Sequence, residues 1–117
     1  MNIRLYNDIN KVVRIGEYEV NFDTGSTFSI ISRQIAYSPD FECESVGYGH
    51  ATLSDGRQVY NCALFKIATE IDATNGTKAV DDQYFVLLGN NNKVVLGDNF
   101  IRKGKLTIDH GDYSFVL

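Results

Sequence analysis

The sequence lacks a long apolar run, a basic cluster and closely spaced metal ligands. Its N-terminal stretch MNIRLYNDINKVVRIG is interrupted by charged residues and asparagines, so we expect no signal peptide, and no later stretch is apolar enough to span a membrane. The net charge is −4 and the basic stretch Arg102–Lys105 is short, which argues against a nucleic-acid partner. We therefore expect a cytoplasmic protein that binds neither membranes nor nucleic acid.

Cysteine and histidine are too scarce and too scattered to predict a metal site. Cys43 and Cys62 do not have the spacing of metal ligands, and His50 has no second histidine nearby. We favour two free thiols over a disulfide between them. The segment GYGH lacks the third glycine and the following helix of a dinucleotide-binding motif, so no cofactor is expected.

Strand-forming residues and turn signals are plentiful instead. Seven tyrosines, seven phenylalanines and ten glycines predict an all-β chain, and the length of 117 residues fits a single domain over residues 1–117. Many short strands with one or two helical turns favour a small closed β-barrel, with an open sandwich as the alternative. The candidate strands are Ile3–Tyr6, Val12–Ile15, Glu17–Phe22, Phe28–Ile31, His50–Leu53, Gln58–Thr69, Gln83–Leu88, Lys93–Leu96, Lys105–Asp109 and Tyr113–Leu117.

Two further segments complete this assignment. The segment GDNFIRKG predicts one short helix over Gly97–Gly104, with Asp98 as its N-cap and with Phe100 and Ile101 facing the core. The polar segment Asp72–Asp82 is predicted to be a surface loop or the end of a hairpin.

The stretch VNFDTGSTFSIIS brings a carboxylate to the end of a strand. Tyr18, Val20 and Phe22 alternate with polar residues, which is the pattern of a strand with one buried face. Such a strand delivers Asp23 to a buried or half-buried position just where the chain turns. Because a buried carboxylate without a partner costs several kcal/mol, this position needs a physical reason.

The turn itself reads Asp23-Thr24-Gly25-Ser26. Thr24 and Ser26 carry hydroxyl groups for fixed hydrogen bonds, and Ser26 is close enough in sequence to bond the carboxylate. Gly25 permits a backbone conformation that other residues avoid, and it lets a ligand or another backbone approach closely. The tripeptide DTG also occurs in ordinary turns, so it does not identify a function by itself.

A second element gives the turn a context. KVVLGDNF contains Val95 and Leu96, then Gly97 and the predicted helix. Together with YEVNFDTGS it resembles the retropepsin-like aspartic proteases, in which a strand runs into Asp-Thr-Gly and a later apolar-apolar-Gly strand passes beside it. The resemblance implies an all-β fold, a small closed retropepsin-like (acid protease) β-barrel with a flap hairpin and one short C-terminal helix.

Most of the remaining chain fits the same resemblance. The segment GYGHATLSDGRQVYNCALFKIA is similar to the flap, a hairpin that covers the substrate, and its tip is expected at Ser54, Asp55 and Gly56. The least similar part is Asp72–Asp82, which has the character of an insertion. The resemblance therefore covers almost the whole chain in the right order.

The resemblance implies an aspartic endopeptidase with two catalytic carboxylates. One carboxylate takes a proton from water while an acid protonates the carbonyl oxygen of the peptide bond. The sequence has no second Asp-Thr-Gly or Asp-Ser-Gly, so the second carboxylate is expected from Asp23 of another copy in a homodimer that binds an extended polypeptide substrate. By resemblance, Thr24 bonds across the dimer and Gly25 lets the substrate or water approach. Ser26 donates to the carboxylate and so favours an acidic pH optimum.

The subunit interface is predicted less closely. The C-terminal KLTIDHGDYSFVL is similar to a strand pair that often closes single-domain members, and YSFVL is a candidate interface with Ile3 and Leu5 as partners, because shared sheets cover open strand edges. Equally, YSFVL can be a core strand of its own subunit. Thr27 and Asp98 stand where viral members have a paired acidic residue and arginine, so that ion pair is absent.

Two alternatives to an active enzyme are consistent with these patterns. One is a catalytically inactive retropepsin-like module that dimerises or binds peptides. The other is a zymogen-like fragment that lacks a partner domain. The intact Asp23-Thr24-Gly25 favours the enzyme, because a protein that no longer cleaves peptides has little physical reason to keep a costly carboxylate there.

Overall fold

The described part of the chain forms a barrel of β-strands with two short helices. The computed structural model describes residues 2–11, 13–53, 55–72, 78–109 and 112–116. The helices are α1 (Arg33–Ala36) and α2 (Asp98–Ile101). The strands are β1 (Asn2–Tyr6), β2 (Arg14–Phe22), β3 (Ser29–Ile31), β4 (Ser45–Thr52), β5 (Gln58–Asp72), β6 (Lys78–Leu87), β7 (Lys93–Leu96), β8 (Lys105–Asp109) and β9 (Asp112–Val116).

Six strands close into a ring. Their order is β1-β2-β7-β3-β6-β5, and β5 pairs back with β1. The strand β4 lies outside this ring, beside β5. Because β5 is long, its first residues pair with β4 in a hairpin, while the residues from Ala68 to Ile71 pair with β1 and close the barrel. The predicted closed β-barrel is therefore confirmed, and the open sandwich is wrong.

The strand β2 has one buried face and ends one residue before Asp23. Val20 and Phe22 are buried and Tyr18 packs against the core, whereas Glu19 is exposed. The predicted alternation is therefore confirmed. Because β2 runs parallel to β7, its carboxyl end lies beside the carboxyl end of β7.

The barrel encloses one main hydrophobic core, which includes two residues that were predicted to lie at a subunit interface. Ile3 and Leu5 are fully buried inside their own barrel, so the prediction that they contribute to a subunit interface is wrong. Phe100 is buried and Ile101 packs partly against the core, as the helix pattern predicts. The fully buried apolar residues of this core are Ile3, Leu5, Ile31, Ile35, Ile67, Ile71, Phe85, Val94, Leu96, Phe100 and Phe115.

Several predicted boundaries shift because strand pairing overrides local composition. The strands β5 and β6 remain paired out to Asp72 and Lys78, so part of the predicted loop Asp72–Asp82 is strand. The strand β4 begins at Ser45 rather than His50. The predictions at Val12, Ser54 and Leu117, and over residues 73–77 of the predicted loop, lie outside the described residues.

The strands β8 and β9 form a separate two-stranded sheet packed on the barrel. The Phe115 ring lies 6.0 Å from that of Phe22 and 5.2 Å from that of Phe100, measured between centroids. Because an isolated hairpin is marginally stable, this aromatic contact holds the pair in place. Within the described part of the chain, the outer edges of β8 and β9 pair with no third strand.

An ion network lies where β5 closes onto β1. The Glu70 carboxylate accepts from Lys11 Nζ at 2.6 Å and from Arg4 Nε at 2.7 Å, and Arg4 Nη2 reaches Asp72 Oδ1 at 2.8 Å. The Glu70 side chain is only 7% exposed. The hydrogen bond from Lys11, helped by Arg4, lowers the pKa of Glu70 to about 2.

We expect the variant Glu70→Gln to be less stable than the wild type at pH 7 by about 1–2 kcal/mol. This loss is smaller than the pKa shift alone implies, because the Lys11 side chain is 36% exposed and water screens its charge. A lowered folded-state pKa stabilises the protein above the unfolded value of 4.5, and this stabilisation is lost as the pH falls toward 2. Urea unfolding at pH 7 and at pH 2.5 measures this difference, which should shrink at the lower pH.

The exposed pair Lys93–Glu19 provides the control for this test. Its Nζ–Oε2 distance is 4.0 Å, and the two side chains are 45% and 63% exposed. The variant Glu19→Gln is therefore expected to change the free energy of unfolding by less than about 0.5 kcal/mol. A Glu70→Gln effect that stays the same at both pH values would contradict the assignment of this stabilisation to an ionised Glu70.

Candidate active site

The turn that carries Asp23 begins on a backbone hydrogen bond to β7. The Asp23 amide donates to the carbonyl of Leu96 at 3.0 Å, which continues the parallel pairing of Phe22 with Leu96. The predicted second motif, Val95, Leu96 and Gly97, therefore runs directly beside the start of the turn. The relation expected between these two segments is present in the fold.

The Asp23 turn is closed by its own backbone. The Ser26 amide donates to the Asp23 carbonyl at 3.2 Å, and the Gly25 amide donates to Asp23 Oδ1 at 2.9 Å. The Asp23 side chain is half-buried, while Thr24 and Gly25 are exposed. The carboxylate is thus displayed at the surface of a single chain rather than sealed inside it.

Two predicted roles within the turn are corrected. The Ser26 hydroxyl is buried and donates to the Phe28 carbonyl at 2.7 Å. Because a hydroxyl has one proton to donate, the predicted donation from Ser26 to Asp23 is wrong. Gly25 is not among the described glycines with positive φ, which are Gly47, Gly56 and Gly89, so its predicted unusual backbone conformation is not found.

Gly97 sits where two backbones meet. A Cβ atom added there would lie 2.8 Å from the Ser26 carbonyl oxygen and closer still to the Phe28 carbonyl oxygen. The next residue, Asp98, donates its amide to the Ser26 carbonyl at 2.7 Å. The absence of a side chain at Gly97 therefore allows the start of α2 to hold the far side of the Asp23 turn.

The predicted capping of α2 is wrong by one residue. Gly97 occupies the N-cap position, and Asp98 lies in the first turn. The Asp98 carboxylate instead pairs with Arg102 Nε at 2.6 Å, four residues along the helix. This exposed pair contributes little to stability, but it explains the acidic residue without any function in catalysis.

Sequence reasoning missed a buried polar group behind the turn. Ser29 is fully buried, and its hydroxyl oxygen accepts from the Gly97 amide at 3.1 Å. Both the amide and the hydroxyl of Ser29 donate to Asn99 Oδ1 at 2.9 Å. No local pattern reveals this group, because Ser29 and Asn99 are 70 residues apart in sequence.

The hairpin of β4 and β5 ends in a tight tip at the predicted place. The Leu53 amide donates to the Arg57 carbonyl at 2.8 Å, and the Gly56 amide donates back to Leu53 at 3.0 Å. Gly56 has a φ of +85°, which favours glycine. Asp55 pairs with Arg57 Nε at 2.6 Å, and the Arg57 amide, followed by its side chain, holds the pKa of Asp55 below its usual value.

The hairpin is bonded to the residue after the Asp23 turn through Thr52, the last β4 residue before the tip. The Thr27 amide donates to the Thr52 carbonyl at 3.4 Å, and the Thr52 amide donates to the Thr27 hydroxyl at 3.3 Å. A second apolar cluster lies beneath the hairpin and next to the turn. It consists of Ala51, Cys62 and Val86 with Phe28, Ile30, Val59 and Leu64.

The other candidate groups do not assemble into a site. Cys43 and Cys62 are free thiols, as predicted, and burial raises the pKa of Cys43. His50 is exposed on β4, with its ring 6.0 Å from that of Tyr60. Among the described residues, no three His, Cys, Asp or Glu side chains are grouped as metal ligands. No helix in the described ranges is long and apolar enough to cross a membrane.

No protein-family model matches the chain, and no curated protein matches it.

Proposed function

We propose that the protein is a retropepsin-like aspartic endopeptidase that works as a homodimer in the cytoplasm. The observation that carries the proposal is the frame around Asp23. One side of the turn is bonded to Leu96, and the other is bonded to Asp98 across the side-chain-free Gly97. This arrangement holds a half-buried carboxylate at a fixed place on the surface.

A half-buried carboxylate in a rigid turn is suited to meet a second carboxylate. Two carboxylates at about 3 Å cannot both ionise, so they share one proton, as is established for aspartic proteases as a class. The ionised carboxylate takes a proton from water, and the oxygen of that water forms a bond to the carbonyl carbon. The protonated carboxylate donates its proton to the carbonyl oxygen. When the C–N bond breaks, the carboxyl that took the proton from water passes it to the leaving nitrogen, and a hydroxyl of the tetrahedral intermediate returns its proton to the other carboxylate as the carbonyl re-forms.

The second carboxylate comes from Asp23 of another copy, related by a two-fold axis. Thr24 is exposed beside Asp23 and is free of the core, which suits its expected bond across the dimer. The outer edges of β8 and β9 are candidates for pairing between subunits, since open strand edges tend to be covered. In this arrangement Phe115 packs in the core of its own subunit, and the outer edges of β8 and β9 contact the partner subunit.

The substrate is an extended polypeptide held between the Asp23 turn and the β4–β5 hairpin. The second apolar cluster forms a surface at this place, with Phe28, Ile30, Val59 and Leu64 only partly buried. Apolar side chains of a substrate gain about 25 cal/mol per Å² of area that they bury there. We therefore expect cleavage sites flanked by apolar residues.

The test combines solution mass with cleavage of an unfolded protein at pH 4 to 6. Within the dimer model, cleavage per mole of chain should fall on dilution over the same concentration range in which the mass falls from dimer to monomer. Light scattering or sedimentation measures the mass, and a fluorescent peptide release assay measures cleavage. A monomer that cleaves, or a dimer that binds unfolded protein without cleaving it, would contradict the proposal.

A further inference from the structure

Main-chain bonds hold the Asp23 turn at both of its ends, and a side chain adds a further contact where the exit continues into β3. The Asp23 amide bonds the Leu96 carbonyl at the start, and the Asp98 amide bonds the Ser26 carbonyl at the end, contacts that any sequence can make. Where β3 begins, Ser29 bonds the side chain of Asn99. The contact with Asn99 is therefore the one at the exit that depends on which side chain occupies its position.

The side-chain amide of Asn99 supplies both an acceptor for Ser29 and a donor for Tyr84. Its Oδ1 accepts from the Ser29 amide and from the Ser29 hydroxyl, both at 2.9 Å. Its Nδ2 donates to the Tyr84 carbonyl at 3.1 Å. The orientation of the amide follows from these partners, because a backbone N–H only donates and a carbonyl only accepts.

These contacts join three elements to the turn. Asn99 lies in α2, Ser29 begins β3, and Tyr84 lies in β6. The Ser29 hydroxyl also accepts from the Gly97 amide, which ties the same group to the end of β7. A single side chain therefore connects the exit of the turn to the helix and to the neighbouring strand.

We propose that Asn99 is a positioning residue, whose amide fixes the exit of the Asp23 turn and thereby the place of the carboxylate. This inference rests on the proposed function, since two carboxylates must meet across the dimer with small tolerance. A displacement of about 1 Å at a reacting group can lower the rate about 100-fold. Asn99 itself touches neither the substrate nor the reacting atoms.

The first experiment compares Asn99→Ala with Asn90→Ala, a control in an exposed turn between β6 and β7. Amide hydrogen exchange is followed by NMR at Ser29, Asp23 and Asp98. In Asn99→Ala we expect exchange at Ser29 to become about tenfold faster or more, with smaller increases at Asp23 and Asp98. In Asn90→Ala we expect no change at these amides.

Kinetics on the same variants separate positioning from general stability. For Asn99→Ala we expect kcat to fall about 10- to 100-fold while KM changes less than about threefold, at a temperature where the variant is fully folded. A kcat equal to that of the wild type, or unchanged exchange at Ser29, would overturn the inference. Absence of cleavage by the wild type contradicts the proposed function instead, and the exchange data still decide whether Asn99 holds the turn.

A conservative variant keeps the test decisive if Asn99→Ala does not fold. The variant Asn99→Asp retains an oxygen that accepts from Ser29 but loses the donor to the Tyr84 carbonyl. Slow exchange at Ser29 should therefore persist, and kcat should lie between the values of the wild type and those of a variant without the acceptor. Exchange at Ser29 as fast as in an unstructured loop would count against the assigned role of Oδ1.

Discussion

The variant Asp23→Asn is expected to lower kcat for an unfolded protein substrate by about a thousandfold or more. An amide cannot take a proton from water as a carboxylate does, so the first step of the proposed reaction loses its base. The fold should be unaffected, because Asn retains an oxygen that can accept from the Gly25 amide. The measurement is cleavage at pH 4 to 6, together with thermal unfolding and solution mass.

A mixture of wild-type and Asp23→Asn chains tests the dimer more sharply than either protein alone. If both carboxylates belong to one site, activity follows the square of the wild-type fraction once subunits have exchanged, so an equal mixture retains about a quarter of the activity. The exposed residue Asp40 supplies the control variant, Asp40→Asn, which should leave the activity of such a mixture unchanged. Activity proportional to the wild-type fraction would indicate that each chain works alone.

The variant Gly97→Ala is expected to destabilise the protein by about 3 kcal/mol or more and to abolish cleavage. A methyl group at this position meets the Ser26 and Phe28 carbonyls, and neither is the end of a flexible side chain. The backbones of the turn and of α2 must separate to admit it. Urea unfolding measures the loss of stability, and cleavage at a low temperature measures the loss of activity.

Gly49→Ala is the matched control, because it adds the same methyl group in a place with room. At Gly49 the added Cβ would lie 3.7 Å from both Leu64 Cδ1 and Val86 Cγ1, which is ordinary contact. Its effect on the free energy of unfolding should stay within about 1 kcal/mol, since Ala also restricts the unfolded chain. Equal effects of the two substitutions would argue against the close backbone approach at Gly97.

The parts of the fold that the sequence predicts well are those set by local alternation. Glu17–Phe22 lies within β2, and the predicted bounds of β7 and β8 agree with the structure. A strand with one buried face has an apolar residue at every second position, and this pattern can be recognised within one short segment of sequence. The position of Asp23 at the end of its strand follows from the same alternation.

The parts that the sequence does not predict depend on distant partners. Glycines are more frequent in loops than in strands, yet Gly47 and Gly49 lie in β4 because β5 pairs with them. Asp98 has the character of a helix cap, but Gly97 takes that position. The function of Asn99 is set by Ser29 and Tyr84, which no pattern around position 99 can reveal.

The place of β7 between β2 and β3 governs when the site can exist during synthesis. The contacts between Ser29 and Asn99 close a loop of 70 residues, an ordering that costs chain entropy and makes the site late to form. A nascent chain that has not yet reached Lys93 contains Asp23 without the strand that holds it. The proposed active site can therefore form only once the chain has been synthesised past Asn99, long after Asp23 itself has been made.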